Sequence, residues 1–140
     1  MQQAHHELSV RTRGRGLVEF TEAVTIWLAR QSISSGLLTL FCRHTSASLL
    51  IQENAAPAVR SDLEAFFETI APEDPSRYQH DDEGPDDMPA HIRTALTGVQ
   101  LSIPLLHGKL ALGTWQGIYL FEHRRRPHER KVALHLLGEG

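Results

Sequence analysis

The stretch His80-Asp81-Asp82-Glu83-Gly84-Pro85-Asp86-Asp87-Met88-Pro89-Ala90-His91 limits the fold more than any other part of the chain. Five carboxylates fall within seven residues, interrupted by glycine and proline. Like charges repel along a strand or a helix, and proline removes a backbone donor from either ladder. The segment is therefore a loop, and it leads into a helix. Met88, Ile92, Ala95 and Leu96 recur at helical spacing, Asp86 or Asp87 stands at the cap, and Gly98 ends the pattern. His91 then lies on the first turn, and a loop that doubles back brings His80 beside it. Two readings are open: a solvated turn that caps a helix, or the rim of a cation site in which carboxylate oxygens and imidazole nitrogens converge.

Before this loop, residues His5 to Arg13 alternate in polarity and predict a first strand at a sheet edge, which Gly14 and Gly16 turn. From Thr21 as N-cap, with Phe20 as a staple, Val24, Trp27, Leu28 and Gln31 share a helical face that ends at Ser34-Ser35-Gly36. Leu37 to His44 predicts a buried strand, with Leu38, Leu40, Cys42 and His44 on one face. His44 is then either a core imidazole bonded to backbone or a ligand, and the hydroxyls of Thr45, Ser46 and Ser48 directly behind it suit hydrogen bonding to phosphate or to loop backbone. No Gly-x-Ser-x-Gly elbow surrounds Ser46, so a serine hydrolase is not indicated. After the apolar run Leu49 to Ile51, Glu53 and Asn54 precede a helix that begins at Pro57 and carries the stripe Val59, Leu63, Phe66, Phe67 and Ile70. Asn54 is read either as a plain cap or as part of an anion-favouring helix start.

After Gly98, Val99 to Leu106 and Leu110 to Leu112 form a hairpin about His107-Gly108-Lys109. Gly113-Thr114-Trp115-Gln116-Gly117 marks a bulge or a close backbone approach. Ile118 to Phe121 continues the sheet, and Glu122 and Arg124 extend the face of Ile118 and Leu120, as a structural ion pair or as a phosphate-holding couple. Pro127 to Arg130 reads as a basic turn, and Lys131 to Leu137 as the closing strand. The fold class is α+β, one domain, mostly antiparallel and sandwich-like, with about three helices packed on the sheet.

With 140 residues the chain suits one domain, and a net charge of -3 gives nucleic acid no electrostatic support. A single cysteine, Cys42, rules out an intrachain disulfide and any Cys-rich zinc site, and suits a reducing cytoplasm. The polar N-terminus is not a signal peptide, and no apolar run is long enough to span a bilayer, so no membrane partner is expected.

Three motifs carry a resemblance. His44-Thr45-Ser46-Ala47-Ser48 with Gln52-Glu53-Asn54-Ala55, then His80-x-x-Glu83-Gly84-x-Asp86-Asp87-Met88-Pro89-Ala90-His91-Ile92, then Leu112-Gly113-Thr114-Trp115-Gln116-Gly117-Ile118-Tyr119-Leu120 with Glu122-His123-Arg124 resemble the YjbQ family, also described as secondary thiamine-phosphate synthase enzymes. The similarity runs over nearly the whole chain. It implies a homotrimer with a metal-associated site near subunit boundaries. It also implies thiamine phosphate synthase activity, which joins hydroxymethylpyrimidine diphosphate to thiazole phosphate and releases pyrophosphate. Among the positions that match the family pattern, we assign His44, His80 and His91 as the expected metal ligands, and Glu53, Glu83, Asp87, Gln116 and Glu122 as the expected catalytic groups. Thr45, Ser46, Asn54, Trp115 and Arg124 are the expected contacts to a small phosphorylated metabolite. The chain departs from the family pattern at Ala56 and Ala58, where acidic residues are common, and at Gln100, where a small one is.

The expected cofactor is a divalent metal. Three imidazoles indicate a zinc-type ion, whereas pyrophosphate displacement ordinarily uses Mg²⁺ held by carboxylates. Two other readings fit the same residues: a metal-bearing binding protein for a phosphorylated metabolite, and a metal-dependent hydrolase with Glu53 or Glu83 as base.

Overall fold

A computed structural model describes residues 1–140. The chain forms eight strands: β1 (Gln2–Arg11), β2 (Gly16–Glu19), β3 (Ser35–Cys42), β4 (Ala47–Glu53), β5 (Gln100–Leu106), β6 (Lys109–Leu110), β7 (Gln116–Glu122) and β8 (Glu129–Glu139), with polarity alternating most clearly along β3, β5 and β8. Three helices, α1 (Thr21–Leu28), α2 (Pro57–Ile70) and α3 (Asp87–Thr97), join them. The larger sheet has the order β1-β8-β3-β5-β6 and the smaller β2-β7-β4, with every pairing antiparallel. The expected α+β, mostly antiparallel architecture is present.

The core lies between the sheets. Leu38, Leu40 and Cys42 of β3, Ile103 and Leu105 of β5, and Val132, Leu134 and Leu136 of β8 meet Ala47 and Leu49 of β4 and Ile118 and Leu120 of β7. Helix α1 adds Val24, Trp27 and Leu28. Strand β7 is buried on both faces, because Tyr119 and Phe121 point the other way and α2 covers them, with Phe67 edge-on to Phe121 at 5.4 Å. The second apolar face of Ile118 to Phe121 is thus covered within the chain.

Several local expectations are corrected. The short strand β2 was not foreseen. Helix α1 ends at Leu28 rather than near Ser34, and Thr21 is its first residue rather than its cap: its Oγ1 donates to Glu19 and accepts the Ile118 N–H. Along α2, Phe66 and Ile70 are exposed, and only the Val59, Leu63 and Phe67 side of the expected stripe is half-buried.

Helix α3 is turned away from its apolar set. Leu96 is 61% exposed, whereas Asp87, Ala90, Arg93 and Thr94 are buried. Asp86 makes no capping hydrogen bond to the helix. Arg93 pairs with Glu64, Thr97 bonds Ser48, and Asp87 pairs with Arg124, so several charge-assisted contacts lie on that face. Burying Leu96 instead contributes only about 2 kcal/mol, less than such contacts supply together.

Candidate metal centre

Asp87 is the centre of the site. It sits on the first turn of α3 with its side chain 2% exposed, and its two oxygens face different partners. Oδ1 accepts Nη1–H of Arg124 at 2.7 Å. Oδ2 lies 2.9 Å from Nε2 of His80 and 3.2 Å from Nε2 of His91. The three donor atoms fall within 4.8 Å of one another, a spacing that one ion bound at about 2 Å to each can satisfy.

The tautomer of His91 sharpens the point. Its Nδ1 lies 2.9 Å from the Thr45 carbonyl, which can only accept, so Nδ1 carries the proton. In the neutral ring Nε2 then presents a lone pair to a carboxylate oxygen that is also an acceptor. Only a shared cation, a second proton or a metal ion, reconciles the two. A backbone carbonyl behind a ligating imidazole is the usual device for fixing such a ring.

Arginines and backbone amides hold the carboxylates in place. Arg124 directs Nε and Nη2 to Asp86 at 3.1 and 3.3 Å and donates to the Glu83 carbonyl at 2.9 Å. The Arg125 backbone N–H donates to Asp86, and Asp86 stays ionised well into acid: burial opposes its charge, and these bonds more than offset it. Beneath them Glu122 and Arg130 form a buried fork, Nε to Oε1 at 2.8 Å and Nη2 to Oε2. Glu122 also accepts Thr12 Oγ1–H at 2.7 Å and the backbone N–H groups of His123 and Arg124. Burial alone raises its pKa, but Arg130, Thr12 and those amides bring it below the ordinary carboxylate value. Arg130 Nη2 donates to the Ser46 carbonyl and hydroxyl. The pair thereby fixes both the Ser46 neighbour Thr45, whose carbonyl orients His91, and the turn that carries Arg124.

The expected residues separate into two groups. His80, Glu83, Asp87, His91, Thr45 and Arg124 gather at the α3 end. His44 lies beside them but outside the donor cluster, because its Nε2 accepts the Lys131 backbone N–H at 2.7 Å. Burial first, then Arg130, lowers its pKa and keeps the ring neutral. Arg124 belongs to Asp86 and Asp87 and not, as expected, to Glu122, which is sealed in the core with Arg130. Glu53, Asn54, Trp115 and Gln116 stand at the opposite end of the small sheet: Glu53 lies six positions along β4 from Ala47, about 20 Å of strand. There Glu53 accepts the Ala56 N–H, Asn54 bonds Glu19, Gln116 accepts the Gly113 N–H, and Trp115 is exposed. No single intrachain pocket joins the two ends.

Arg130, expected in a solvated turn, is 4% exposed. Its signal was present in the two-residue period it shares with Val132, Leu134 and Leu136. Beside the donor cluster opens a cleft of about 560 Å³ lined by Phe41, Arg43, His44, Thr45, His91 and Val99 among others, none of them Asp or Glu.

A family model described as UPF0047 protein YjbQ-like matches residues 6–139. The chain belongs to the YjbQ family. Among relatives of this YjbQ-family protein, the UPF0047 protein sll1880 of Synechocystis sp. is 52% identical over 136 residues, 96% of this chain and 92% of that one. The UPF0047 protein YjbQ of Escherichia coli O157:H7 is 44% identical, covering 94% of each. Among solved structures, a conserved hypothetical protein of Thermus thermophilus superposes with a TM-score of 0.81 at 34% identity, over 94% of this chain and 99% of that one. A YbjQ-like protein of Sulfolobus solfataricus shares the fold with a TM-score of 0.86 at 22% identity, over 99% and 100%.

Proposed function

We propose that this YjbQ-family protein is a metal-dependent transferase of thiamine phosphate synthase type, joining hydroxymethylpyrimidine diphosphate to thiazole phosphate with release of pyrophosphate. The metal part rests on one observation, the Asp87 oxygen shared by two imidazoles of which His91 has its proton on the far nitrogen. The reaction rests on the family resemblance. Two nitrogens and one carboxylate suit a zinc-type ion better than Mg²⁺, which prefers oxygen throughout. Such an ion supplies Lewis acidity at diphosphate oxygens.

His80, Asp87 and His91 hold the ion, and Arg124 holds Asp87. Phe41 and Val99 offer an apolar wall to a heterocyclic ring. Arg43, the one arginine lining the cleft, pairs through Nη1 with Glu7 at 2.7 Å and turns from it onto an anion, and His44 offers Nδ1–H from the wall. A cleft without a carboxylate side chain favours displacement of pyrophosphate, which needs no protein base, over hydrolysis that does. The same lining also suits a metal-bearing binding protein for a phosphorylated metabolite.

A homotrimer belongs to this proposal. It is supported by the exposed apolar row Leu37, Phe41 and Leu137 on the outer face of the large sheet. In the test, tag-free protein is analysed for metal and incubated with both precursors and Mg²⁺, and the products are separated by chromatography. About one ion per chain and thiamine phosphate are expected, with both lost in Asp87→Asn and His91→Ala. Undiminished product in both variants rejects the site. Metal and tight ligand binding without turnover select the binding protein instead.

A further inference from the structure

We infer that a second site, behind α3 and separate from the metal centre, binds a small oxyanion through Arg93. Arg93 is fully buried. Its Nη1 donates to Glu64 at 2.7 Å, while Nε and Nη2, also buried, meet no acceptor in the chain. Those two nitrogens form the side-on edge of the guanidinium, whose parallel N–H groups match two oxygens of a carboxylate or phosphate.

The other buried or half-buried arginines nearby show what this edge does. Arg130 places it on the two oxygens of Glu122, and Arg124 places it on the two oxygens of Asp86. Only for Arg93 does the fold provide no such partner. A buried guanidinium edge with no acceptor bears the full cost of lost hydration, so the site gains when an oxyanion supplies two acceptors.

Arg93 lines a cavity of about 240 Å³ together with Arg15, Arg125, Glu68 and Glu73. Three guanidiniums and two carboxylates line it, and Glu64, outside the lining, pairs with both Arg93 and Arg15 and balances the charge. Water occupies about 30 Å³ per molecule in the liquid, so the cavity admits an ion of phosphate size. Glu68 and Glu73 already engage Arg15, and Arg125 closes on Glu73. Arg93 is therefore the anchor, and Arg15 and Arg125 are rim cations that reorient onto the ligand. The rim touches the metal centre's scaffold, since the Arg125 backbone N–H holds Asp86.

The test titrates inorganic phosphate, and separately acetate, into chelator-treated protein by calorimetry, with crystals soaked in phosphate. Saturable binding of one phosphate per chain is expected, with density against Nε and Nη2 of Arg93. Preferential binding of acetate assigns the site to carboxylates within the same chemistry. Arg93→Lys keeps the charge but loses the fork, and weakens binding tenfold or more. Arg125→Ala, an exposed position that folding tolerates, weakens it severalfold and decides the matter if Arg93→Lys does not fold. Water alone against Arg93 in soaked crystals, absence of saturable binding, or undiminished binding in Arg125→Ala and in folded Arg93→Lys overturns the inference. Absence of synthase activity in the wild-type protein, with phosphate binding intact, rejects the proposed function and leaves this site standing.

Discussion

His91 and Thr45, 46 residues apart, are joined by a hydrogen bond of 2.9 Å from Nδ1–H to the carbonyl. In the neutral ring that bond leaves Nε2 of His91 facing Asp87 with a lone pair. It aims an ordinary helix-start histidine at the Asp87 carboxylate, and it depends on the loop that Arg130 and Glu122 hold in place.

Arg124→Gln removes the guanidinium that orients Asp87 and Asp86 and replaces none of the three proposed ligands. Metal affinity is expected to fall about 10- to 100-fold, as for other groups that orient ligands. Competition with a chromophoric chelator measures it, and an unchanged dissociation constant contradicts the role given to Arg124.

Glu122→Gln leaves Arg130 buried beside a neutral amide. A loss of about 3–5 kcal/mol of stability is expected from uncovering one member of a buried pair. The double variant Glu122→Leu, Arg130→Met recovers much of it, because no charge then remains unpaired. Urea unfolding of the three proteins reads the difference. A single variant as stable as the wild type shows that the pair holds nothing in place.

The same carboxylates set an acid limit. Glu122 and Asp86 have folded pKa values below their ordinary 4.5 and 3.8. Their stabilisation is complete above those ordinary values and is lost as pH falls through the lowered folded ones. In Glu122→Gln that part of the acid dependence disappears, leaving a shallower fall in the urea midpoint below about pH 4.5. A wild-type slope in the variant shows the dependence to come from elsewhere.

His123 acts at higher pH. It is 1% exposed, with Nε2 bonded to Ser48 at 2.9 Å, and burial, then Arg93, lowers its pKa from 6.5 to about 3. Below 6.5 the unfolded chain takes a proton that the folded chain refuses until about 3, so stability drops as pH falls across that window. Between pH 7 and pH 5 the loss is about 2 kcal/mol. His123→Gln, which can keep the bond to Ser48, is expected to flatten this slope. Persistence of the full slope shows that His123 is not its source.

Gly36→Ala tests the sheet. A Cβ there comes within 2.1 Å of the Leu137 carbonyl and 2.8 Å of Gly138 Cα, both backbone. No side chain can move aside, so β3 and β8 must separate at that pair. A loss of about 3 kcal/mol or more is expected by thermal unfolding, the upper range for overpacking. A small change shows that the strand end yields freely.

The strand alternation of Leu38, Leu40 and Cys42, the start of α2 at Pro57 and the hairpin about His107-Gly108 were legible because each depends on a local period or a local turn. So was the loop that brings His80 beside His91, since charge repulsion and proline allow nothing else there. The rotation of α3 was not legible. Its apolar positions pointed one way, and the partners of Asp87, Arg93 and Thr97 lie on α2, β4 and the segment after β7, far off in sequence. Nor could the chain in one dimension show that Glu53 and Gln116 sit a strand's length from Asp87, because motifs neighbouring in a family pattern carry no distance. Sequence alone determined most of the elements and the loop that carries His80 towards His91. Tertiary structure decided which of them meet, because a buried charge takes the orientation in which it is paired, whatever the hydrophobic period of its own helix.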